Sequence, residues 1–108
     1  MSPWEIYLFK FDYEGCKDER PCLVTSIPKH GKVNVIPLSA QWDKFKDIDH
    51  LPLKRQYDDE AFVESGLDRD SYLSSKIHEV AAADCTSELI GILSGRLREK
   101  VEDWIGPL

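Results

Sequence analysis

Only the end of the chain carries the repeat of a helix, and this limits what the rest can be. Leu97, Val101, Trp104 and Ile105 fall at i, i+4, i+7 and i+8, which is one face of an α-helix. Ser94 is a suitable N-cap, and Gly106-Pro107 ends the run. A single amphipathic helix must bury its apolar stripe on something else. What precedes it reads as short strands: IYLFKF (6–11), PCLVTSI (21–27) and KVNVIPLS (32–39), the last with a kink or edge at Pro37. DYEGCKDE and PKHG read as a loop and a turn. Residues 40–52 read as a loop with at most one helical turn, and 53–65 as one or two short strands. SGLDRDSYL is a turn feeding a strand, KIHEVAAA a strand and ELIGILS a short one. The expected fold is mainly β: a small, strongly bent sheet or barrel with one helix packed on it. The 108 residues suit one domain over 1–108.

Charge narrows the partners. The net charge is -6, with 7 basic and 8 acidic side chains in residues 1–50 against 7 and 12 in 51–108. Broad, nonspecific nucleic-acid binding needs a basic surface, so the charge argues against it, whereas a small local phosphate site is not excluded. No apolar run reaches the roughly 20 residues of a membrane helix. MSPWEIYLFKFDYEG has acids and no basic n-region, unlike a secretory leader, so a cytoplasmic protein is expected. Cys16, Cys22 and Cys85 make an odd count whose spacing fits neither a disulfide framework nor a zinc site. No metal or cofactor is expected.

Three blocks, in order, carry a likeness. The first is IYLFKFDYEGCKDERPCLVTS, a strand and polar loop with Arg-Pro at the mouth of an aliphatic strand. The second is NVIPLSAQ, a strand ending in a hydroxyl, an alanine and a glutamine. The third is GLDRDSYL, followed by a strand and IGILSGRLREKVEDWI. Together they resemble the MazF/PemK family of toxins from toxin–antitoxin pairs, over nearly the whole chain. The resemblance implies an SH3-like β-barrel with a C-terminal α-helix, usually a homodimer. It also implies a metal-independent endoribonuclease acting on single-stranded RNA and neutralised by an antitoxin. Two other readings use the same barrel: a CcdB-like, topoisomerase-directed poison that only binds, and an inactive interaction module. The topoisomerase-directed poison does not need the Arg-Pro with its downstream hydroxyl.

Metal-free RNA cleavage uses the substrate's own 2′-OH and builds negative charge at phosphorus, which calls for an aimed cation. Arginine stays charged and its planar fork matches phosphate oxygens. Arg20 stands where the family places its catalytic arginine, and Pro21 biases it towards extended backbone. The plain alternative is an exposed arginine paired with Asp18 or Glu19. Ser39 aligns with a family hydroxyl able to donate to phosphate; otherwise it makes a turn bond. Family members often carry a glutamate before the arginine. Glu14, Asp18 and Glu19 are candidates for a general base or for orienting Arg20, against the reading of a solvated acidic loop. The strand after GLDRDSYL departs from the family, offering Lys76 as a phosphate contact and His78 as a proton carrier. A lone strand histidine is more often structural. Trp42 and Phe45 sit where RNA bases would stack, although core or dimer packing is the commoner fate of such residues. Gln41 continues the second block, and Ser71 is the remaining matched hydroxyl, for which a turn role is expected. Lys17, Lys44 and Lys46 are expected to make a basic pocket around Arg20 within an acidic surface.

Overall fold

A computed structural model describes residues 1–10, 19–41 and 49–106. Among these residues, seven strands and two α-helices run in the order β1 (Glu5–Lys10), β2 (Glu19–Lys29), β3 (Lys32–Ser39), β4 (His50–Leu53), α1 (Asp59–Glu64), β5 (Ser71–Ser74), β6 (His78–Ala81), β7 (Gly91–Ile92) and α2 (Gly95–Ile105). The described strands form one antiparallel sheet in the order β4-β5-β3-β2-β1-β7, with β6 also paired to β3. The molecule is mainly β, a curled half-barrel sheet with a C-terminal helix.

The curl originates in β3. Its first half, Lys32–Val35, pairs with β6, and its end, Leu38–Ser39, pairs with β5. The change of partner falls at Ile36–Pro37, where proline has no N–H to give a ladder. Two register shifts in the β2–β3 pairing, between Val24 and Ser26 and between Ser26 and Lys29, add further twist. The hairpin closes at Gly31, whose φ of 79° suits glycine.

Successive strand residues face opposite sides of the sheet. Leu23, Ile36 and Leu38 join one core cluster with Ile6, Phe62, Leu73, Leu93, Leu97 and Val101. Cys22, Val24, Val33 and Val35 join a second with Phe9 and Val80. Both helices contribute to the first cluster. Leu97 and Val101 of α2 are fully buried, and Trp104 and Ile105 pack partly against them, as their spacing requires. Trp4 is buried, its backbone N–H donates to the Val24 carbonyl at 2.9 Å, and the Arg98 guanidinium lies 4.6 Å from the centre of its ring. Tyr7 is part-buried against the second cluster.

Three sequence expectations need correction. Residues 53–65 are not strands beyond Leu53, which ends β4; they form a 3-10 turn at Arg55–Tyr57 and then α1. The cause is Asp58, which accepts the Ala61 N–H at 3.1 Å, with Asp59 and Glu60 in the first turn favouring a helix start. Residues 50–52, expected in a loop, belong to β4. Ser94 occupies the N-cap position of α2, yet its side chain makes no capping bond. The other Asp58 oxygen caps α2 instead, accepting the Arg96 N–H at 3.0 Å.

Candidate functional site

The β-ladder brings the matched blocks together. Cys22 pairs with Pro37, so two residues further along the antiparallel register Arg20 falls across from Ser39. Ser39 pairs with Tyr72 of β5, which sets Ser71 beside Ala40. The neighbouring order β5-β3-β2 thus carries Ser71, Ser39 and Arg20 to one end of the sheet. They line a pocket of about 210 Å³. Pro21, Leu38, Ala40 and Leu67 give it apolar lining, and Asp68 and Arg69 enter from the loop before β5.

Arg20 is the second residue of β2, paired with Phe9 of β1, and it is half-buried. Its Nε atom is buried and has no hydrogen-bond partner among the described residues. A buried guanidinium N–H without an acceptor is costly. Here it belongs to a side chain that lines an open pocket, where an anion is the natural acceptor. Two arginines against one aspartate leave this lining one positive charge, within a chain of net charge -6.

The hydroxyls are less available. Ser39 is 3% exposed; its Oγ accepts the Gln41 N–H at 3.1 Å and donates to the Gln41 carbonyl at 3.3 Å. Ser71 is 5% exposed and donates to the Arg69 carbonyl at 3.0 Å, the turn role expected of it. Both shape the pocket wall through local backbone bonds.

The other candidates are placed elsewhere or are not described. Glu19 is exposed opposite Lys10 and does not line the pocket. Gln41 is exposed immediately after β3, its backbone held by Ser39. Lys76 is exposed between β5 and β6, its N–H donating to Ser74 Oγ at 3.1 Å, and His78 pairs with Val35 on β6. Neither lines the pocket. Glu14, Lys17, Asp18, Trp42, Lys44, Phe45 and Lys46 lie outside the described residues. Among the described residues, no group of three or more His, Cys, Asp and Glu side chains is placed to hold a metal ion, and no helix is long and apolar enough to cross a membrane.

Arg69 and Asp68 are the site residues that the sequence reading missed. The block GLDRDSYL contains both, and a charged pair two and three residues before Ser71 was the available signal. Compared with protein-family models and with proteins of curated function, the chain matches none.

Proposed function

We propose that the chain is an endoribonuclease of the MazF/PemK kind, a toxin with an SH3-like barrel that cuts single-stranded RNA without a metal. The observation that carries this reading is Arg20, whose buried Nε has no partner among the described residues, lining one pocket with Ser39 and Ser71, one residue from each matched block. The volume, about 210 Å³, is below the roughly 300 Å³ at which pockets for drug-sized ligands begin. It suits one phosphate with part of its sugar, the rest of an extended strand lying on open surface.

In this mechanism the 2′-oxygen of the RNA attacks the adjacent phosphorus. The O2′–P bond forms, the P–O5′ bond breaks, and the proton lost from the 2′-OH is matched by one gained on the 5′-oxygen. The products are a 2′,3′-cyclic phosphate and a 5′-OH. Arg20 donates to the non-bridging oxygens, where charge grows, and its positive charge counts for more in a partly buried site than in water. The Ser39 turn holds the rim of β3 in place. The protein acts as a cytoplasmic homodimer, and its antitoxin silences it by covering the same pocket with acidic chain.

A binding-only protein on the same barrel, CcdB-like or an inactive interaction module, is the second reading. It is favoured by one observation: the Ser39 and Ser71 hydroxyls are committed to backbone carbonyls. Incubating the purified protein with a long single-stranded RNA in EDTA separates the two. The ribonuclease reading expects discrete cuts with cyclic-phosphate ends that disappear in Arg20→Ala. Cuts that persist in that variant discard the site, and intact RNA with folded protein hands the case to the binding-only reading.

A further inference from the structure

We infer that Arg69 is a second phosphate-binding residue of the Arg20 pocket, so that the site is a two-arginine clamp for one phosphodiester of a single strand. The inference deepens the ribonuclease reading and rests on its assignment of the pocket to RNA.

The two arginines reach the pocket from independent elements, Arg20 from β2 and Arg69 from the loop that enters β5. The root of Arg69 is fixed on its C-terminal side. The next residue, Asp70, accepts the Arg55 N–H at 2.8 Å, and Ser71 Oγ donates to the Arg69 carbonyl at 3.0 Å. The far end of the loop is fixed too. Gly66 has a φ of 73° and lies so close to Ile90 that a Cβ there would overlap its backbone. A guanidinium on a pinned backbone loses less freedom on binding than one on a loose loop.

The side chain itself is weakly held. Among the described residues its ion pair is with Asp68, Nε to Oδ1 at 3.6 Å, and the two side chains are 70% and 84% exposed. Such a pair holds weakly and exchanges readily. A phosphate in the pocket offers Arg69 a better-matched, bidentate acceptor next to the cation Arg20. Asp68 then becomes an unfavourable neighbour, since its carboxylate lines the same pocket as the bound anion. The two residues therefore have opposite expected effects. Removing Arg69 weakens binding, and neutralising Asp68 strengthens it.

The test is fluorescence anisotropy of a labelled single-stranded oligodeoxynucleotide, which lacks the 2′-OH and so reports binding without cleavage. Arg69→Ala is expected to bind about tenfold more weakly, the loss of one charge-assisted contact. Its plot of log affinity against log salt should flatten by about 0.7, the single-strand value for one phosphate neutralised. Asp68→Asn should bind more tightly than the parent. Arg69→Lys should recover part of the affinity and the full slope. A structural role for Arg69 would not change the salt slope. Unchanged affinity and slope in Arg69→Ala overturn the clamp even if RNA is cut, as does a parent protein that fails to bind. If the clamp pattern appears while RNA in EDTA stays intact, the clamp stands and the ribonuclease reading falls.

Discussion

Ser39 sits beside Arg20 in the pocket, but its oxygen is already engaged twice with Gln41. A hydroxyl so placed contributes the rim's shape more than a donor for phosphate. Ser39→Ala should therefore cost about 1 kcal/mol of stability, the typical value of a hydrogen bond, while leaving most of the cleavage rate. Denaturant unfolding and a rate measurement on the same sample check both. A large loss of rate at unchanged stability would give Ser39 a direct catalytic role. Arg20 stood out through the family resemblance, since an Arg-Pro before a strand is common by itself. Arg69 did not, because an arginine flanked by two aspartates in a polar loop looks like solvated surface until the fold shows where that loop lies.

The helices depend on one carboxylate. Asp58 Oδ1 takes the Ala61 N–H of α1 and Oδ2 takes the Arg96 N–H of α2. Gly95, with φ of 55°, leaves the room, since a Cβ there would run into the Asp58 carboxylate. The Arg96 and then the Ala61 backbone N–H groups hold the Asp58 carboxyl below its ordinary range. A lowered folded-state value means that this stabilisation is fully present above the ordinary aspartate value of about 3.9 and is lost as pH falls through the folded value. Asp58→Asn should lower the melting temperature at neutral pH and remove that part of the acid dependence. An unchanged melting curve would show that the shared cap contributes nothing. The elements differed in legibility for a physical reason. An 11-residue helix repeats its apolar face often enough to be seen, and Leu97, Val101, Trp104 and Ile105 mark it. The six residues of α1 bury only Ala61 and Phe62, adjacent in sequence, so no helical period can show. The strands β1 to β3 were visible from their apolar runs. The partner exchange along β3 was visible only as a proline out of place.

At the scale of the molecule, the net charge opposes the expected ligand. A chain of net charge -6 repels RNA at a distance, while the described pocket lining carries two arginines and one aspartate. Binding by the whole protein should therefore be local, with a shallow salt dependence set by a few phosphates rather than by a broad basic face. On the proposed ribonuclease reading, the chemistry falls to Arg20. The most direct measurement is the single-turnover cleavage rate of single-stranded RNA in EDTA for the parent, Arg20→Ala and Arg20→Lys. A loss of about 10²-fold or more is expected in the alanine variant, as for other groups that stabilise developing charge, with partial recovery by lysine, which keeps the charge without the planar fork. A parent that cuts, with an alanine variant that cuts equally fast and folds equally well, would contradict it.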